Sequence, residues 1–147
     1  MLMEFGLLPF YPSKKDTPTQ TVLIVDHELG FVFWLGQALD KAGLQALPAK
    51  NCVDARELLR YITVGIDLLI ISHSMPGGRA FSSDLKRAQW HLKVMVVCDA
   101  GETLDPGCPT ADAFQCRPLC PDELAKSEWL NSVHNVLACS IGTGHLC

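Results

Sequence analysis

A chain of 147 residues, 48% of them apolar, is long enough for one domain and apolar enough to pack a core. Its 12 Lys and Arg against 16 Asp and Glu give a formal net charge of -4, and with no basic tract the electrostatic footprint of a nucleic-acid binder is missing. The apolar runs are shorter than a bilayer span, and the N-terminus lacks the basic start and small-residue cleavage site of a signal peptide, so a cytoplasmic protein without a membrane partner is expected.

Residues 1–19 begin apolar and turn into a polar segment punctuated by Pro12 and Pro18. They read as a flexible tail ahead of a domain at 20–139, with a Gly-rich tail at 140–147. Thr21-Val22-Leu23-Ile24-Val25 is a β-branched apolar run, as expected of a parallel strand covered on both faces, and it ends at Asp26-His27-Glu28. Val32, Leu35, Leu39 and Ala42 then fall at helical spacing, with Gly43 placed as the C-terminal cap. Phe31, Phe33 and Trp34 widen the apolar arc of this helix beyond one core-facing stripe.

Residues 44–49 read as a second strand, and Asn51 as the N-cap of a helix facing the core with Ala55, Leu58, Leu59 and Ile62. The third strand, Leu68-Leu69-Ile70-Ile71, delivers Ser72 to a loop stopped by Met75-Pro76-Gly77-Gly78. A helix over about 81–90 follows, then a fourth strand at 94–97 that ends at Cys98-Asp99. The connection 100–110 holds two prolines and two glycines, so a helix there is shortened or missing. Ala113-Phe114-Gln115-Cys116 is a short fifth strand leading to Arg117-Pro118, and a last helix begins near Pro121 with Leu124, Trp129, Leu130, Val133 and Leu137 to pack.

Strand and helix alternating five times predict an α/β protein: a doubly wound five-stranded parallel sheet of flavodoxin-like (βα)5 type. Parallel strands present their carboxyl ends on one side, so Asp26, Ser72, Cys98 and Arg117 should meet at one edge of the sheet, where ligands bind in open α/β folds. The seven cysteines (Cys52, Cys98, Cys108, Cys116, Cys120, Cys139, Cys147) are odd in number and lack a C-x-x-C pair. A disulfide framework or structural zinc is therefore not expected, and free thiols are. Cys116 and Cys120 are spaced loosely like a metal pair, but Pro118 lies between them and no second pair follows.

The segments Val22-Leu23-Ile24-Val25-Asp26-His27-Glu28, Asp67-Leu68-Leu69-Ile70-Ile71-Ser72 with Met75-Pro76-Gly77, and Ala111-Asp112-Ala113-Phe114 with Arg117-Pro118 resemble the receiver domain of bacterial two-component response regulators, the CheY-like fold. The resemblance spans residues 21 to about 138. It implies a phosphoacceptor at the position of Ser72, an acidic pair at Asp26 and His27, a phosphoryl-contacting hydroxyl at Cys98, a lysine at Arg117 and a switch aromatic at Phe114. Four of these positions carry a different group. A hydroxyl stands for the nucleophilic aspartate, and one carboxylate remains where Mg²⁺ wants several. Cys98 is a weak hydrogen-bond donor, and Arg117 is a planar fork in place of an ammonium.

The expectation is a degenerate, pseudo-receiver version of the domain. It would stand alone, without a DNA-binding effector, and use no metal or cofactor, with Asp26 and Arg117 ion-paired across the pocket. It would act by protein contact through its first helix or its last strand and helix. The resemblance implies as partner a histidine kinase, another receiver, an output protein or a second copy of the chain. Two alternatives are weighed against it. Phosphotransfer could survive at another carboxylate, Asp26 or Asp99, or Ser72 or Cys98 could serve with His27 as the nucleophile of a small hydrolase-like enzyme. The latter lacks a Gly-x-Ser-x-Gly elbow.

Overall fold

The structure, a computed structural model, describes residues 19–99 and 111–138. Nine elements follow in order: β1 (Thr21–Val25), α1 (Leu29–Lys41), β2 (Gln45–Ala49), α2 (Cys52–Tyr61), β3 (Leu68–Ser72), α3 (Gly78–Ala88), β4 (Lys93–Cys98), β5 (Ala113–Cys116) and α4 (Glu123–Ala138). The expected tails fall, apart from Thr19, outside the described residues, and so does the connection 100–110. No described helix stands between β4 and β5, and no described helix is long and apolar enough to cross a membrane.

The strands form one parallel sheet in the order β2-β1-β3-β4-β5, the predicted doubly wound arrangement. β1, β3 and β4 are central, and alternate residues of each feed two cores. Val22, Ile24, Leu68, Ile70, Met95 and Val97 pack with Val32, Leu35 and Leu39 of α1 and Trp129 and Val133 of α4. Leu23, Val25, Leu69, Ile71, Val94 and Val96 pack on the other side with Ala55 of α2 and Phe81 and Leu85 of α3. Both faces of these strands are thus dry, which is why their sequence is continuously apolar. Each fully buried Leu or Ile contributes about 1.5–3 kcal/mol relative to exposure.

Local signals place the helices. The N–H groups of Gly43 and Leu44 donate to the carbonyls of Asp40 and Leu39 at 3.1 and 3.0 Å, with Gly43 at φ 91. This double bond closes α1 in a Schellman motif, as the glycine predicts. Asn51 Oδ1 accepts from the Asp54 N–H at 2.7 Å and caps α2. α3 begins at Gly78, earlier than the apolar spacing predicts, because Gly77 takes the left-handed conformation at φ 73 and turns the chain straight into the helix. Trp90, expected at its end, lies beyond it and is exposed. Ile62 lies past the end of α2 yet still packs against the core. The aromatic surplus of α1 divides. Phe31 is buried edge-on to Trp129 with ring centroids 5.3 Å apart, Trp34 packs partly, and Phe33 stays exposed. Leu124, predicted to pack, is exposed, because the buried stripe of α4 runs through Ala125, Trp129 and Val133 and leaves Leu124 one position off it.

Candidate functional site at the strand ends

The sheet reverses its direction of growth between β1 and β3, the switch point of this strand order. Val25 pairs in register with Ile71, so the next residues, Asp26 and Ser72, emerge side by side. Ser72 pairs with Val97 and Cys98 with Cys116, and Arg117 follows Cys116. The sheet alone therefore gathers the four predicted strand-end residues along one edge.

Asp26 and Arg117 form the core of the site. Arg117 Nη2 donates to Asp26 Oδ2 at 2.6 Å, with the Asp26 side chain 1% exposed and the Arg117 side chain 14% exposed. The other oxygen, Oδ1, accepts the backbone N–H of Glu28 at 2.9 Å. Both carboxylate oxygens are thereby engaged, which a buried anion requires. Arg117 also donates through Nη1 to Asp99. Its guanidinium lies over the Phe31 ring, 5.4 Å from the centroid, and its backbone N–H donates to Cys98 O at 2.7 Å. Burial by itself disfavours the charged guanidinium, but the bonds to Asp26 and Asp99 outweigh it and hold the Arg117 pKa above its ordinary value. The expected ion pair is present, and it is one arm of a wider clamp.

Ser72 is buried beside this pair. Its Oγ lies 3.2 Å from Ser74 Oγ and accepts the Ser74 N–H at 3.4 Å. The hydroxyl thus serves the turn that leads into α3. His27 is brought to the rim and not into the pocket. Its side chain is 61% exposed, with Nδ1 3.7 Å from Asp26 Oδ1. The Glu28 N–H bonding back to Asp26 bends the chain here, and that turn sends His27 outward. Glu28 itself is exposed. Cys98 is buried, and its Sγ lies 3.7 Å from Cys116 Sγ and 3.9 Å from Gln115 O on β5. Phe114, on β5 three residues before Arg117, is exposed.

The receiver fold implies Mg²⁺ at such an edge, and the residues present do not fit it. Among the described residues Asp26 is the one buried carboxylate, and a guanidinium already neutralises it; the neighbouring oxygen is a serine hydroxyl, whereas a hard cation wants several anionic oxygens. Among the described residues no group of three His, Cys, Asp or Glu side chains is arranged to hold a metal. Sequence reasoning missed Asp99 as the second partner of Arg117 and Phe31 as its aromatic floor. The signal for Asp99 was its place directly after a predicted strand end. For Phe31 it was the aromatic surplus of α1.

No protein-family model matches the sequence, and none of the curated proteins does. Solved structures do match. A CheY-like response regulator receiver domain protein from Methanospirillum hungatei superposes with a TM-score of 0.65 at 16% identity, over 82% of this chain and 94% of that one. The chemotaxis response regulator CheY4 of Vibrio cholerae gives 0.66 at 17% identity, over 81% and 99%. The response regulator TrrA of Thermotoga maritima, solved in complex with Mg(2+)-BeF, gives 0.60 at 20% identity, over 78% and 99%. At these identities the likeness is one of fold, and this chain folds as a CheY-like response regulator receiver domain.

Proposed function

We propose that this chain is a degenerate receiver: a module of two-component signalling that acts by protein contact and independently of aspartyl phosphorylation. The observation that carries the reading is the buried Arg117–Asp26 pair at 2.6 Å. A cation entering the pocket would have to displace a guanidinium from a desolvated carboxylate, and would then find the Ser72 hydroxyl where a second anion is needed. Ser72 is a weak nucleophile without a base, and its Oγ is already taken up by Ser74. The hydrolase-like alternative requires His27 within reach of Ser72 or Cys98, and an imidazole standing out in solvent gives it no support.

The partner in this reading is a protein of the same signalling class: a histidine kinase, another receiver or an output protein. Leu119 and Leu124 beyond β5 and Phe33 on α1, all large apolar side chains left exposed, support a role in protein contact. A cytoplasmic location goes with it. The test is incubation of the full chain with Mg²⁺ and acetyl phosphate, or with Mg²⁺ and beryllium fluoride, read by intact mass and by amide chemical shifts. The expected result is an unchanged mass and unmoved Asp26, Ser72 and Arg117 amides. A phosphoryl adduct, or shifts centred on those residues, would overturn the proposal.

A further inference from the structure

The receiver reading leaves two thiols at the edge of the sheet without a role. Cys98 ends β4 and Cys116 ends β5, and the two are register partners on adjacent parallel strands. Register partners project from the same face of a sheet, and here the sulfurs lie 3.7 Å apart. Neighbouring strands are about 4.8 Å apart, inside the roughly 4.4–6.8 Å that a disulfide spans between Cα atoms. Their surroundings differ: Cys98 is buried, whereas Cys116 is exposed. Cys116 is thus the residue on the solvent side, and the buried Cys98 lies within reach of it.

We propose that Cys98 and Cys116 form a reversible redox pair, with Cys116 as the attacking thiol and Cys98 as the resolving thiol. The oxidant is a peroxide. The Cys116 thiolate attacks one peroxide oxygen and breaks the O–O bond, giving a sulfenic acid; the other oxygen leaves as hydroxide and takes up the proton that Cys116 lost. The Cys98 thiolate then attacks the sulfenic sulfur and expels the second hydroxide, which leaves as water with the Cys98 proton. Two thiols and one hydrogen peroxide yield one disulfide and two waters. A dithiol returns the pair to the reduced state by exchange.

The position of the pair gives the bridge a consequence. Arg117 follows Cys116 directly, and its backbone N–H bonds to Cys98 O, so a bond between the sulfurs ties the root of the Arg117 clamp to β4. Oxidation would thereby be reported at the pocket through Arg117 without a phosphoryl group. The inference does not depend on the signalling role proposed above, since it rests on the sulfur geometry alone and its test involves no partner.

Treatment of the full reduced chain with hydrogen peroxide, under conditions that keep it monomeric, should remove two hydrogens by intact mass, and dithiothreitol should restore them. Cleavage on the amino side of aspartates separates a fragment ending at Cys98 from one carrying Cys116 and Cys120, and these two fragments should emerge joined. C116S should abolish the link. C120S, which removes the other exposed thiol among the described residues, should retain it. The Arg117 amide should shift on oxidation of the unaltered chain and of C120S, and stay in place in C116S. Four results would each overturn the proposal: a link that survives C116S, a link lost in C120S, Cys116 passing to sulfinic acid without a bridge, or an Arg117 amide indifferent to bridge formation.

Discussion

The two edges of the sheet both carry aspartates, and they use them differently. At the amino edge Asp67 stands just before β3 and Asp112 just before β5. Asp67 Oδ2 accepts the Thr21 N–H at 2.8 Å while its own N–H donates to Thr21 O at 2.9 Å. Asp112 repeats the arrangement on Val94, at 2.8 and 2.7 Å. Each satisfies a strand-start amide that the ladder leaves unpaired. Their side chains remain 29% and 30% exposed, beside His91 and Lys86 respectively. At the carboxyl edge Asp26 is buried and has the Arg117 guanidinium as its close countercharge. The difference teaches that a carboxylate at the catalytic edge of a receiver fold is not thereby a ligand. What it can bind is decided by water access and by which acceptors are already spoken for.

Removing the countercharge is the strongest way to break this comparison. Arg117→Ala leaves Asp26 buried and unpaired, and is expected to cost about 3–5 kcal/mol of folding stability, read as a lower urea midpoint. The double change Asp26→Leu with Arg117→Met should recover most of that loss, since an apolar pair of similar bulk avoids the desolvation altogether. If Arg117→Ala proves as mild as a surface substitution, water reaches Asp26 and the contrast between the two edges falls. Asp67→Ala and Asp112→Ala come next. Each strands one strand-start N–H, for a loss of about 1–3 kcal/mol, and the half-open edge should keep both below Arg117→Ala because water can replace the lost acceptor. Urea titrations of the three variants side by side rank them.

The physics that separates the edges also explains what could be read in the sequence. β1 runs between the residues expected, β3 extends one residue further and β4 one residue at each end, because strands dry on both faces announce themselves as apolar runs; the half-buried β5 also runs between the residues expected. The start of α3 was hidden, since its first turn is set by the backbone conformation of Gly77 and not by an apolar residue. The Asp26–Arg117 pair was legible because parallel topology alone brings the two strand ends to one edge. The outward turn of His27 was not. It follows from a single bond between the Glu28 N–H and Asp26 Oδ1, and no periodicity encodes that bond. Asp99 lies in irregular backbone just past β4, where sequence spacing gives no direction for a side chain.

Asp84 offers the smallest effect and the sharpest control on burial. It sits on α3 and accepts hydrogen bonds from Arg87 at 2.5 Å and from Arg56 of α2 at 3.2 Å, so it has two arginines and, unlike Asp26, an exposed side chain. The bonds to Arg87 and then Arg56 hold its pKa below the ordinary 3.8. A carboxylate with a depressed folded-state pKa adds stability that is fully present above the unfolded value and is lost as pH falls through the folded one. Asp84→Asn should therefore separate slightly from the parent chain in urea at neutral pH, and the gap should close as pH drops below 3.8. Raising salt at neutral pH should shrink the gap in the same way, because exposed pairs are screened. The loss in Arg117→Ala should persist in salt, since it arises from desolvation and not from long-range attraction. A gap at Asp84 that equals that of Arg117→Ala, or that ignores salt, would mean that the number of arginine partners, and not burial, sets what an aspartate is worth in this fold.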